Sequence, residues 1–451
     1  MLRRLKSLAI TLGAGIALST YVNAATEIEF WTSQTQSDRM KIIETLAQTF
    51  EAMNDGITVK VVPVDENEMA TQMAAAAAAN TLPNLIEAGS ELLLAFGEEG
   101  VVDKSTNKKI LDNVGSGRFF TGALDMLKSP NGKDYYGVPM HGWVQGIWYR
   151  KDWFEQAGLE PPTTWDRIEK AAAVLTDKSK NQYGILVGTK PEGYTEQVFT
   201  HFALSNNAQQ FNAKGDLVFN SPEMLETLKF YEKLAKYNPP GPQTWRARDY
   251  YLQGKMGMFF YSTYIMDDLA IAEVAKGSLS GENFEGLGGA DFDADLVKNT
   301  GFAPIISNKA DASYGVLVGL SAIKSKKAES KAAQEFAKYL YDPYAYITYL
   351  HMAPGGMNPM LSDIPDHPYY LKDPKGVFEA YGSENIKGIV SGFNSIRTFS
   401  VVDGNVFPES GQIFAKQIIP QMVYSVIFEG VTAENAIAQA EQEMKAVIGN
   451  Q

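Results

Sequence analysis

The feature that most constrains this chain is an alternation of strand-like and helix-like segments early in its globular part. Residues 27–32 read as a strand, and Ile43, Leu46, Ala47 and Phe50 then recur at helical spacing. Asn54-Asp55-Gly56 ends that helix with turn residues. Residues 57–62 are rich in β-branched side chains and predict a second strand. Residues 66–79 predict a second helix that ends in an alanine run, and 85–88 a third strand. β-α-β-α-β is one half of a doubly wound parallel sheet. Ligands of such sheets sit beyond the carboxyl ends of the strands. That rule puts residues 33–38, 65–67 and 87–90 along a single edge.

A second α/β pattern begins near residue 142. Residues 143–149 read as extended, and Thr163-Thr164-Trp165-Asp166 opens a helix with capping residues. A strand is expected at 183–187, a helix from Ser221-Pro222 to Tyr237, and a buried strand at 255–261. Residues 314–323 are strand-like, and 328–341 form an amphipathic helix with Ala332, Phe336 and Leu340 on one side. Residues 353–359, Ala-Pro-Gly-Gly-Met-Asn-Pro, exclude a regular element, and the chain closes on a helix capped by Thr432. The acidic, glycine-bearing stretch 277–295 reads as a surface insertion. A chain of 451 residues is too long for one core and suggests two or three domains.

The first 24 residues read as a secretory leader rather than as part of the fold. Arg3, Arg4 and Lys6 precede an apolar run from Leu8 to about Leu18, and small residues flank an expected cut between Ala24 and Ala25. The run is shorter than the roughly 20 residues a membrane span needs, and no later segment replaces it, so direct membrane insertion is not expected. With no cysteine there is no disulfide, no thiolate chemistry and no lipid-modified cysteine. A leader without a lipid anchor predicts a protein diffusing freely in a Gram-negative periplasm. The formal charge of −13 becomes three units more acidic without the leader, which disfavours nucleic acid as a partner.

Catalytic motifs are scarce. His141, His201, His351 and His367 are never three to five residues apart, so no helical zinc pair is present. There is no Gly-x-Ser-x-Gly elbow, no phosphate-binding P-loop and no dinucleotide glycine pattern. No cofactor and no metal is called for, with calcium held by oxygens the one route left open. A pair of carboxylates working as in glycosidases is compatible with the composition, but no short motif supports it.

Several stretches together resemble the family 1 extracellular solute-binding proteins, the maltose-binding-protein-like group. They are Tyr136-Gly137-Val138-Pro139, the run 148–159 (WYRKDWFEQAGL), Pro161-Pro162-Thr163-Thr164-Trp165-Asp166, Gly254-Lys255-Met256-Gly257-Met258-Phe259, Ala322-Ile323-Lys324-Ser325-Lys326, and Pro354-Gly355-Gly356-Met357-Asn358-Pro359. Their order and spacing cover nearly all of the chain after the leader. The resemblance implies an α/β fold of two lobes joined by a hinge of several crossing segments. One lobe would hold residues 25–139 with 304–353, the other 140–303 with 354–451. It also implies a ligand held between closing lobes, a monomer that delivers it to the transmembrane subunits of an ABC permease, and no enzymatic activity.

Candidate ligand contacts follow from the strand-end rule and from that resemblance. Gln34, Gln36, Ser37 and Asp38 lie where the first helix begins; they offer polar groups to hydroxyls, or one of Ser37 and Asp38 merely caps the helix. Glu66, Glu87 and Ser90 hold the matching strand ends, and carboxylates suit pairs of sugar hydroxyls. His141 and Trp143 follow the first expected crossing and read as a polar partner and a stacking platform, against core packing as the alternative. Tyr261 and Ser262 follow the second lobe's buried strand, and Trp245 sits in a loop with arginines. Gly355, Gly356 and Met357 in the third crossing would let backbone amides approach a ligand or simply turn the chain. Arg397 gains weight if the ligand is anionic. The expected function is capture of a neutral mono- or oligosaccharide. The alternatives are an anionic sugar (a uronate or sugar phosphate) in the same fold and a periplasmic carbohydrate-cleaving enzyme.

Overall fold

The apolar spacing of the first helix translates directly into packing. The helix α1 (Ser37–Met53) buries Ile43, Leu46, Ala47 and Phe50, the four positions of the stripe. Phe50 meets Phe336 edge-on at 5.2 Å, and Phe336 meets Phe30 at 5.6 Å. Each such ring removed from water contributes about 1.5–3 kcal/mol, so three rings from distant parts of the chain hold this corner together. Neither Ser37 nor Asp38 caps α1: Gln36 occupies the N-cap without a side-chain hydrogen bond, and Asp38 lies in the first turn. The alanine-rich helix α2 (Met69–Ala79) stops at Asn80, whose left-handed backbone returns its N–H to the last carbonyls. A third helix, α3 (Ser90–Glu98), begins one residue past the third strand.

The computed structural model describes residues 25–449 except 67, 282–286 and 395. The expected leader at 1–24 lies outside the described residues, as does part of the insertion at 277–295. The remainder of that insertion is pinned by Gln253, which donates to Ser278 O at 2.9 Å and accepts from Gly289 N–H at 2.9 Å.

Eleven strands of the described residues join one mixed sheet. They are β1 (Thr26–Thr32), β2 (Ile57–Pro63), β3 (Leu85–Gly89), β4 (Val138–Arg150), β5 (Tyr183–Leu186), β6 (Met256–Ser262), β7 (Thr300–Ala303), β8 (Ile306–Ser307), β9 (Asp311–Ala322), β10 (Asn358–Pro359) and β11 (Ile396–Arg397). The main path runs β2-β1-β3-β9-β4-β6-β5. β1 pairs in parallel with both β2 and β3, as the alternating pattern requires. β4 and β9 are long and antiparallel, and each spans both halves of the sheet. β9 pairs β3 through Val318–Ala322 and β11 through Ser313 and Tyr314. β4 pairs β10 through His141 and Gly142 and β6 through residues 145–149. The chain thus folds into two α/β lobes sharing two strands, with the β10 segment as a further crossing.

β4 starts at Val138, five residues before the expected Trp143. Pro139 hides the extension in the sequence, because proline lacks the N–H a ladder uses. The strand absorbs it with a register shift between Pro139 and His141, while the Tyr341 hydroxyl donates to Pro139 O at 2.8 Å.

Candidate functional site

Register decides which side chains meet. Directly opposed residues of an antiparallel pair share a face. Glu87 opposes Leu320, and His141 opposes Val318, so both rise from the same face on either side of β9. There His141 Nε2 lies 2.7 Å from Glu87 Oε1, with both side chains buried. The Thr32 hydroxyl donates to Glu87 Oε2, Gln34 Nε2 donates to Oε1 at 3.1 Å, and Arg39 Nη1 donates to Gln34 Oε1 at 2.8 Å. Burial alone would push the Glu87 carboxyl up. The hydrogen bond and charge of His141, with the Thr32 hydroxyl, outweigh it and hold Glu87 below the usual glutamate range.

Trp143 opposes Val316 and stands on the same face two residues further along. Trp143, Val316 and Val318 are half-buried, while Leu317 and Leu320 beside them are fully covered. The two shared strands therefore present a short apolar floor with an indole at its centre. No protein group among the described residues accepts the Trp143 indole N–H. Tyr314 lies 6.2 Å from the indole, centroid to centroid.

Carboxylates stand around this floor. Glu66 is open at its rim and is pushed up by lost solvation and by Glu91, Glu87 and Asp65. Ser90 is buried and donates to Glu91 Oε2 at 2.9 Å. Burial likewise raises the Glu91 carboxyl. From the other half, the helix Gly193–Ser205 lies over the sheet, with Gln145 Nε2 donating to Gln197 O at 3.1 Å. Its Glu196 is 4% exposed, and burial pushes its carboxyl up to about 8. Strand-end reasoning brought Gln34, Glu66, Glu87 and Ser90 to one place. It passed over Arg39, Glu91, Glu196 and Tyr314, although Glu91 adjoins the named Ser90 and Glu196 follows the end of β5.

The remaining candidates lie elsewhere. Ser262 opposes Gln145 and shares the Trp143 face, but Tyr261 opposes Gly146 and points to the other face. There it belongs to a cluster with Arg248, which approaches Asp268 at 3.7 Å and lies 5.0 Å over the Trp245 ring. Burial raises Asp268 to about 7, and Trp245 itself is 49% exposed. Gln36, Ser37 and Asp38 are exposed at the start of α1. Gly355, Gly356 and Met357 are buried beneath the crossing rather than open to the floor. A methyl on Gly355 would meet Met266 Sδ at 2.7 Å, and one on Gly356 would fall within the Tyr264 ring. Asn358 secures this turn by donating to Thr263 Oγ1 at 2.9 Å and Gly142 O at 3.2 Å. Arg397 is exposed on a separate groove of about 700 Å³ that it shares with Asp125, Gln209 and Asp311. Among the described residues no group of three His, Asp or Glu is placed to hold a metal ion, and no helix is long and apolar enough to cross a membrane.

Two α/β lobes that share long strands and leave a half-open indole between them define a two-lobed binding protein. The chain belongs to the bacterial extracellular solute-binding protein family, whose sequence model matches residues 34–346. It is 29% identical over 423 residues to the putative ABC transporter periplasmic-binding protein YcjN of Escherichia coli K12, covering 93% of this chain and 92% of that one. Over 212 residues it is 26% identical to the mannitol-binding protein of Pseudomonas aeruginosa, 44% of this chain and 46% of that one. The sugar-binding protein MalE of Xanthomonas citri shares the fold with a TM-score of 0.73 at 19% identity, over 94% of this chain and 98% of that one.

Proposed function

We propose that this protein captures a neutral mono- or oligosaccharide, or the related polyol, between its lobes in the periplasm and delivers it to an ABC permease. The observation that carries this reading is Trp143: an indole left half-exposed on strands shared by both lobes, among hydrogen-bonding side chains. A pyranose or an extended polyol offers a face of C–H groups to such a ring, while its hydroxyls stay free for carboxylates at the rim. The mannitol-binding relative and the sugar-binding MalE fold neighbour support the ligand class. The charge of the rim favours a neutral ligand over a uronate or phosphate. Glu66, Glu87, Glu91 and Glu196 surround the floor, and Arg39 already serves Gln34.

On this reading the leader is removed near Ala24, and the lobes comprise residues 25–139 with 304–353 and 140–303 with 354–451. The change of partner along β9, between Tyr314 and Val318, would draw the second crossing some residues later than 304. Glu91 and Glu196, two raised carboxyls near one space, are what the carbohydrate-cleaving alternative would draw on. Incubation with neutral oligosaccharides separates the two, since a binding protein returns them uncut.

The test is a thermal-shift series with D-mannitol, D-glucose, D-galactose, maltose and cellobiose, followed by calorimetry on each sugar that binds. Ligand at 100 times its Kd adds about 2.7 kcal/mol of stability, a clear shift in Tm. Trp143→Ala should keep its unliganded melting curve and lose upwards of ~2 kcal/mol of binding, about thirtyfold in Kd. Binding within threefold of the parent would make Trp143 a packing residue and remove the support for this reading.

A further inference from the structure

The open part of the floor is short. Of the β9 residues on this face, Val316 and Val318 are half-buried and the others are buried. On β4, Trp143 alone is half-buried between Val138 and Trp148. Two residues of a strand rise about 7 Å, the breadth of one sugar ring. Both ends of that stretch are filled by protein. Beyond Val318 stand Leu320, Glu87 and His141, all buried, with Gln34 donating to Glu87 at 3.1 Å. Beyond Val316 stands Tyr314, also buried, and the cavity that it lines there measures about 40 Å³. Such a space holds a few waters and is too small for a second ring.

The Tyr314 end is stopped by a segment from late in the chain, between β11 and the helix Ile418–Phe428. From it Phe399, Ser400, Ser410 and Phe414 line the small cavity. The segment is anchored on the second half of the sheet's covering. Phe407 stacks on Phe211 at 5.3 Å, and the Ser410 hydroxyl donates to Gln210 Oε1 at 2.7 Å. It also reaches both walls of the cleft through the helix Glu409–Ala415. A methyl on Gly411 would touch Glu91 Cβ of α3 at 3.6 Å, and one on Gly193 would touch Phe414 Cζ at 3.7 Å. The segment therefore spans the cleft from α3 to the helix Gly193–Ser205 at the end where the floor stops.

We propose that the cleft is measured for a single ring, a monosaccharide or a polyol of matching length, and that Phe399 and Phe414 form an end stop that excludes an oligosaccharide. The inference rests on the saccharide reading and narrows it. A free sugar has a hydroxyl at each end of the floor, and each end offers it polar partners: Gln34 at one, Ser400 and Ser410 at the other. A glycosidic bond at either end replaces that hydroxyl by an ether oxygen, which cannot donate. It also sets a second ring where Leu320 or Phe399 already packs, and a packed site gives way only at a cost. A second ring sent out through the mouth past Glu66 would stand between the lobes and hold them apart. The side chains at the two ends thus fix the length of the ligand, while Trp143 between them takes its C–H face.

The experiment is calorimetric titration of the full mature chain with D-mannitol, D-glucose, D-galactose, maltose and cellobiose under one set of conditions. The tightest of mannitol and the two monosaccharides should bind at least about tenfold more tightly than either disaccharide. A disaccharide inside that margin, or tighter than the small ligands, overturns this inference and leaves the saccharide reading intact. If none of the five binds, the saccharide reading falls and this inference with it. The same titrations are run on Phe414→Ala, a side chain that is 39% exposed in the parent, so the fold should tolerate its loss. Shortening it opens the Tyr314 end and should bring the disaccharides at least about threefold closer to the small ligands. An unchanged ratio overturns the end stop. Should Phe414→Ala fail to fold, the parent's ratios decide alone.

Discussion

At the scale of single residues the Glu87–His141 contact carries the largest electrostatic stake. Glu87 is wholly buried, and His141, Thr32 and Gln34 all turn toward its charge. Removing one partner of such a pair leaves an uncompensated buried charge, a loss of about 3–5 kcal/mol. His141→Ala should therefore lower the unfolding free energy by that order in urea at pH 7, and a loss under about 1 kcal/mol would show that the pair is not what tolerates the charge. The pH dependence has a definite sign. The Glu87 carboxyl sits below its ordinary value, so the stability it contributes is fully present above the ordinary glutamate range. That stability fades as pH falls through the lower folded value. Strand-end reasoning located Glu87, Gln34 and Glu66 because three parallel strands must finish on one edge. Its blind spot was Glu196, whose helix belongs to the other lobe and reaches the same space only once β4 and β9 have brought the lobes together.

Among the elements, the third crossing is the one that sequence and structure describe differently. Pro-Gly-Gly reads as a turn free to approach a ligand, yet its glycines are spent on close packing. Gly355 has φ +84°, and Gly356 lies against the Tyr264 ring with no room for a side chain. No sequence pattern reveals this, because Tyr264 and Gly356 are neighbours only in three dimensions. Gly356→Ala must displace a ring in a packed site, so a destabilisation of about 1–3 kcal/mol or more is expected, read as a lower urea midpoint. An unchanged midpoint would mean that Tyr264 swings aside freely and that the turn is not rigid. Elements with a strong apolar period were far easier to read. The buried stripe of α1 coincides with its spacing, and Thr164 and Ser221 cap the helices they were expected to cap. β4 begins at Val138 rather than at the expected Trp143, with Pro139 inside it.

For the whole molecule, two long antiparallel strands shared between two lobes make a hinge of few segments, and such hinges permit the lobes to close on a ligand. Family membership rests on the match over residues 34–346, and the two-lobed fold on the shared strands. Nothing in one-dimensional sequence shows which way a cleft side chain points, and the candidates divide on that account. Trp143 after the first crossing and Tyr261 after a buried strand both read as aromatics offered to a ligand, but their registers set them on opposite faces. The central claim is that a saccharide binds between the lobes and draws them together. Small-angle scattering on one protein sample, with and without a sugar that has raised its Tm, tests it most directly. The radius of gyration should be smaller in the sugar-bound sample, with no such change in Trp143→Ala at the same sugar concentration. A radius unchanged in the parent under saturating sugar would contradict it.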